Sequence, residues 1–353
     1  MQPAKLTRVA AFAAILGAVA SPVLVAAQAT GAPRAGTYHI VKEIPAGGEG
    51  GWDYLTVDTA AHRLYVSRST HVMVVDTDRD SVIADIPNTP GVHGIALAPS
   101  LGKGFTSNGR DSTVTVFDLK TYTATATVKV TGRNPDAIMY EPVSGRVFTF
   151  NGGSANATAI DARTNAVVGT VDIGGKPEFA RSDAAGRVYV NNEDKSEIVV
   201  FDAKTLAVLA HWPLAPCEEP SGLAMDRTGM RLFSGCSNKL MAVVDMASGK
   251  VVTTLPIGDG VDANAFDPAT KLAFSSNGDG TLTVYHADDP SHFSLVGTVT
   301  TRRGARTMAL DERTHKIYTV SAQFGPPPAP TADRPRPRPP MIPGSFVILV
   351  LDR

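Results

Sequence analysis

The chain has 353 residues, with 33 Lys and Arg against 34 Asp and Glu, a formal charge of −1. That balance makes no electrostatic case for nucleic acid or an anionic membrane surface as a partner. The sequence contains no CxxC, HExxH, GxSxG, P-loop or GxGxxG, which removes most enzyme classes that carry a local signature.

The first element in chain order reads as an export signal. Lys5 and Arg8 precede the apolar run Val9–Ala20, which Pro22 ends, and Ala27-Gln28-Ala29 offers a small-x-small cleavage pattern. An apolar run that short falls well below the roughly 20 residues that a bilayer-spanning helix needs. A signal peptide is therefore expected over 1–29 and a short linker over 30–36. The mature protein, 37–353, is expected to be periplasmic or secreted, soluble, monomeric and without a transmembrane segment.

From His39 onward the chain repeats itself. An Asp closes a β-rich segment at Asp76, Asp118, Asp161, Asp202 and Asp245, with His286 in that place next, at steps of 41 to 43 residues. A second series keeps time with it: Asp58, Ala98, Glu141, Asp183, Asp226, Asp267 and Asp311. Each unit has one grammar, clearest at "GLAMD", "RTGM", "RLFSG", "MAVVD", "MASGK" and "VVTTLPI" (Gly222–Ile257). Four short strands with period-two apolar patterning alternate with Gly, Asn, Asp and Ser turns, and no segment keeps a helical period. Seven such units predict an all-β, seven-bladed propeller of four-stranded antiparallel blades. The last unit stops at "SFVILVLDR", one strand short, while "HIVKEIPAGG" (His39–Gly48) matches "KVVTTLPIGD" (Lys250–Asp259). The N-terminal strand is therefore expected to complete the last blade and close the ring, burying Ile40, Val41 and Ile44.

The ends of the second strands read "LYVSR", "GFTSN", "VFTFN", "VYVNN", "LFSGC", "AFSSN" and "IYTVS". With the "VxVxD" strands and "IPxG" blade exits, the chain resembles the YVTN-repeat, YncE-like β-propellers over nearly all of its mature length. The resemblance implies the same closed ring. Related rings include lactonases, lyases and binding proteins, so it leaves the function open.

Propeller topology puts the loops entering strand one, and those between strands two and three, on one face. Equivalent positions of the entry loops carry Asp53, His93, Asp136, Glu178, Ser221, Asp262 and Arg306. Because the first strand is innermost, these seven are expected to ring the mouth of the central channel. Carboxylates crowded round one opening raise each other's pKa unless a cation offsets them. The set suits a divalent cation held by Asp53, His93, Asp136 and Glu178, with His93 favouring a transition metal. It also suits a small ligand or a protein partner. A solvated rim paired locally, Arg306 to Asp262, is the plain structural alternative. Trp52 beside Asp53 is a candidate aromatic wall that could equally pack between blades, and "APCEEPSG" adds Glu218 and Glu219 to the same face.

Cys217 and Cys236, the only two cysteines, lie at strand ends that antiparallel pairing brings together, so a disulfide is expected. In the seventh unit, residues 324–344 form a Pro-rich insertion carrying Arg334, Arg336 and Arg338, a candidate lid or docking arm. The function these features suggest is that of an exported binding or interaction protein using the channel-mouth face. The alternative is a metal-dependent, lactonase-like hydrolase or lyase with its site at the channel.

Overall fold

The computed structural model describes residues 37–331 and 339–353, together with Met1. The rest of the expected signal peptide, the linker up to residue 36, and Arg334, Arg336 and Arg338 lie outside the described residues. The chain divides after Ala35. The second unit consists of seven antiparallel sheets of four strands each, arranged as a seven-bladed β-propeller. Blades 1 to 6 run in sequence order from Leu55–Asp58, the first strand of blade 1, to Phe293–Thr300, the last of blade 6.

Strand character follows position in the blade. Middle strands such as Val72–Asp76 and Arg231–Cys236 are largely apolar and buried between neighbouring blades. Outer strands such as Val167–Asp172 expose most of their side chains and mix Val, Thr and Gly. A strand covered on both faces has no polar side to keep wet, so its sequence reads as a continuous apolar run. Seven apolar clusters fill the spaces between blades, for instance Phe148, Phe150, Val190 and Phe201 between blades 3 and 4.

The two periodic acid series are turn caps. Asp118 Oδ1 accepts the backbone N–H groups of Lys120 and Thr121 at 2.9 and 2.7 Å. Asp161, Asp202 and Asp245 do the same two and three residues on. At the other turn of the blade, Glu141 accepts from Val143 and Ser144, and Asp226 from Thr228 and Gly229. These are Asx-type turns in which the side chain replaces a missing backbone acceptor. The repeat Asn at the end of strand two is a buried latch. Asn108, for example, donates to Thr113 and Thr115 across the next loop at 3.0 and 2.9 Å.

The ring closes as its two ends require. His39–Pro45 pairs antiparallel with the final strand, Val347–Asp352. Ile44 is buried and Ile40 half-buried, but Val41 is 46% exposed, which corrects the expectation that it is covered. The cause is a bulge: Ile40 faces Leu351 and Lys42 faces Val350, so Val41 has no partner and turns outward. Tyr38 takes up the apolar role instead. It is 3% exposed, packs edge-on against Phe274 at 5.0 Å and donates its hydroxyl to the His315 carbonyl at 2.6 Å.

A second fastening comes from Arg68, which stands where four other blades carry the latch Asn. Its buried guanidinium donates to the carbonyls of Gly47, Glu49 and Gly50 at 2.9 to 3.0 Å and lies 3.6 Å above the Phe346 ring. Burial pulls its pKa down to about 10. Gly50 permits the contact: its φ is +87°, and a Cβ there would sit 2.5 Å from the Arg68 carbonyl oxygen.

Candidate functional site at the channel mouth

Each rim residue of blades 2 to 6 sits on a bulge at the start of its innermost strand. In blade 3, Pro135 pairs with Asn151 and Ile138 with Thr149, so Asp136 and Ala137 lie outside the regular ladder. The same shift occurs after Val92, Pro177, Pro220 and Val261. A bulge re-aims the side chain that follows it, here off the ladder and toward the axis. Neighbouring blades then grip the backbone. Ser107 donates to the Asp136 carbonyl, Asn191 to the Ser221 carbonyl at 2.7 Å, and Ser276 to the Arg306 carbonyl at 2.5 Å.

The seven positions separate into two groups. On blades 1 to 3, His93 Nδ1 donates to Asp53 Oδ2 at 2.6 Å and lies 3.7 Å from Asp136 Oδ1. One ligand atom from each of Asp53, His93 and Asp136 falls within 4.8 Å of the other two. Gly109 makes the space for the imidazole, since a Cβ there would stand 2.7 Å from His93 Nε2. On blades 5 to 7, Asp262 accepts from Ser221 Oγ at 2.9 Å and pairs with Arg306 at 2.8 Å.

Glu178, on blade 4, lies outside the three-residue group and faces the Lys176 ammonium at 3.3 Å. Lys176 also pairs with Glu193. Burial works against the Lys176 charge, yet these two carboxylates hold its pKa above the usual lysine value. Lys176 and Glu193 are therefore part of the rim. Lys176 is visible in "IGGKPEF", but Glu193 stands in the loop after strand two and carries no positional signal.

The electrostatics are those of a site with surplus negative charge. Burial, and then the Asp53 carboxylate, push Asp136 up to about 7. Burial, and then Asp136, push Glu178 up to about 8. Asp262 rises to about 6, because burial outweighs its partner Arg306. Burial lowers the pKa of His93, but the Asp53 hydrogen bond and the nearby carboxylates overcome it and the net shift is upward. At neutral pH, protons thus occupy places a cation would compete for. Two carboxylates and an imidazole suit Zn²⁺, Mn²⁺ or a similar ion better than Ca²⁺.

Directly below the rim an aromatic pair narrows the channel. Tyr54, from blade 1, reaches across to blade 4, where its hydroxyl donates to the Glu178 carbonyl at 3.0 Å. Its ring packs on Phe179 at 5.3 Å. The signal for this pair is in the sequence. One residue past the rim position, the other five blades carry Gly94, Ala137, Gly222, Ala263 and Thr307, while these two carry large aromatics.

The remaining sequence candidates are placed as follows. Trp52 is half-buried and packs against Phe346 and Phe324, at 5.5 and 5.9 Å. Phe324 stands at the root of the Pro-rich insertion, where it bridges to Met341. Glu218 and Glu219 are exposed on the loop entering blade 5, and their carboxylates form no ion pair among the described residues. Cys217 and Cys236 form a disulfide, with their Cα atoms 5.7 Å apart and a sequence separation of 19. Closing a loop of that size stabilises by about 3 kcal/mol. Replacing both cysteines by Ser is expected to lower the melting temperature by about 6 °C in calorimetry; an unchanged transition would count against a stabilising role.

No protein-family model matches the sequence, and no curated protein matches it. Among solved structures, a chain of "Crystal Structure of Mitotic Checkpoint Complex" aligns with a TM-score of 0.73 and 14% sequence identity, covering 98% of this chain and 99% of its own. At that identity the likeness is one of fold. Among the described residues, no helix is long and apolar enough to cross a membrane.

Proposed function

We propose that the protein is an exported, monomeric binding protein of the YVTN-repeat kind that holds a divalent transition-metal ion at its channel mouth. The observation that carries this reading is the convergence of Asp53, His93 and Asp136 within 4.8 Å, from three successive blades. Asp136 and Glu178 with raised pKa values support it, because a bound cation would relieve the repulsion that raises them. The Ala27-Gln28-Ala29 pattern and the disulfide suit an oxidising compartment outside the cytoplasm. Repeat strand ends from "LYVSR" to "IYTVS" support the family assignment.

Titration of the metal-free propeller with Zn²⁺ and Mn²⁺ is the test. One equivalent is expected to bind more tightly as the pH rises from about 6 to 8, since Asp136 and His93 must give up protons. Asp136→Asn and His93→Ala should each weaken binding by at least about tenfold. Wild-type affinity in both variants, or no binding at all, would refute the site.

One observation favours a second reading, a metal-dependent hydrolase or lyase of the lactonase-like type. Glu178, whose pKa burial and the Asp136 carboxylate raise to about 8, stands on the blade next to the metal group, where a general acid would act. Turnover of a lactone by the metal-loaded protein, lost in Glu178→Gln with metal binding retained, would establish that reading over simple binding.

A further inference from the structure

Beneath the Tyr54–Phe179 pair the channel widens into a chamber of about 620 Å³, lined by the first strands of all seven blades. Its outer lip carries Thr59, Ala60, Arg227 and Glu312, residues of the turns between strands one and two, so it lies toward the face opposite the metal group. Two guanidinium groups share this space. Arg227 donates to the Ser182 carbonyl at 2.7 Å. Arg181 lies 4.7 Å over the Phe179 ring, and its guanidinium makes no hydrogen bond or ion pair among the described residues. Burial, and then the Arg227 charge, draw the Arg181 pKa down to about 10. The nearby acids do not neutralise it by contact. Asp58 is engaged by the Ala61 N–H at 3.0 Å, Asp262 is paired with Arg306, and Glu312 stands exposed at the lip without an ion pair.

An arginine held in a walled cavity, with its donors unfilled and a second arginine next to it, is arranged to receive an oxyanion. A planar carboxylate matches the guanidinium fork. The walls set the rest of the ligand: Phe179, Met225, Ala309 and Leu310 give an apolar lining, and the volume suits a small molecule rather than a chain segment. We propose that this chamber is a binding site for a small organic carboxylate, with Arg181 as the principal anchor, Arg227 as the second, and entry from the face opposite the metal group.

Calorimetric titration of the whole mature propeller at constant ionic strength, with benzoate and with its neutral analogue benzamide, tests this. Benzoate is expected to bind one to one and saturably below about 10 mM, while benzamide binds at least tenfold more weakly. Arg181→Gln should weaken benzoate by at least about tenfold and Arg227→Gln by about threefold, since one arm of Arg227 is already engaged. Removing a cation that no carboxylate contacts should leave the Arg181→Gln melting temperature equal to or above that of the wild type. A fall in melting temperature would mean that Arg181 has a structural role, and would overturn the proposal. So would benzoate binding that ignores Arg181, or no saturable binding. Zn²⁺ titration of the same variant should match the wild type, so this chamber and the channel-mouth site can fail separately.

Discussion

A protein lacking residues 37–46 is expected to melt about 8 °C or more below the intact propeller and to aggregate as it does so. The deletion removes Tyr38 and Ile44, 3% and 5% exposed, from two different inter-blade clusters. Each such side chain contributes roughly 1.5–3 kcal/mol by burial, and the lost strand pairing adds to that, giving about 5 kcal/mol or more. For a domain of this size, each kcal/mol moves the transition by about 1.5–2 °C. The strand left uncovered, "VILVLD", is apolar and would present an unpaired edge. Calorimetry and light scattering check the prediction; a truncated protein that melts like the intact one and stays monomeric would contradict ring closure as the source of stability. Val41→Thr is the internal control. Its side chain turns out to solvent at the bulge, so it should shift the transition by less than about 1 °C.

The second large effect is a stability that falls as pH rises. Asp136 and Glu178 have folded-state pKa values of about 7 and 8, above ordinary values of 3.8 and 4.5. A carboxyl group raised in this way makes the folded state bind more protons than the unfolded one. Its cost is absent below about pH 4, grows as the pH climbs through the neutral range, and is complete above pH 8. His93, also raised, adds in the same direction: its stabilisation is present below its ordinary value of 6.5 and lost above its folded one. The double variant Asp136→Asn, Glu178→Gln should therefore match the metal-free wild type near pH 4. At pH 8 it should exceed it by several kcal/mol, seen as a melting temperature higher by several degrees. Saturating Zn²⁺ should raise the melting temperature of the wild type at pH 8 and leave the variant unmoved. A wild type whose metal-free stability is flat between pH 5 and 8 would show that these carboxylates are not crowded.

The repeat carried the fold into view because its period has a physical source. A carboxylate recurs every 41 to 43 residues where a tight turn needs an acceptor, as at Asp118, Asp161 and Asp202. The rim was legible for the same reason: residues at one register position of seven equivalent strands must face one axis, which places His93 beside both Asp53 and Asp136. What one register cannot show is pairing between different loops. Glu193 reaches the rim from the loop after strand two and captures Lys176, which in turn draws Glu178 aside from the other three. Arg68 was hidden differently. It occupies the latch position of the repeat, yet its three acceptors belong to the irregular loop after the closing strand, where no repeat exists to read. Val41 was misplaced because it is the extra, unpaired residue of a bulge, which the apolar run of the strand does not reveal.

Anomalous diffraction from crystals of the mature propeller soaked in Mn²⁺ or Zn²⁺ at pH 7.5 tests the central claim most directly. The account predicts one strong peak at the channel mouth, about 2.0–2.3 Å from ligand atoms of Asp53, His93 and Asp136, with none in crystals of Asp136→Asn. A mouth without density in the wild type, or an ion held by other residues, would contradict it.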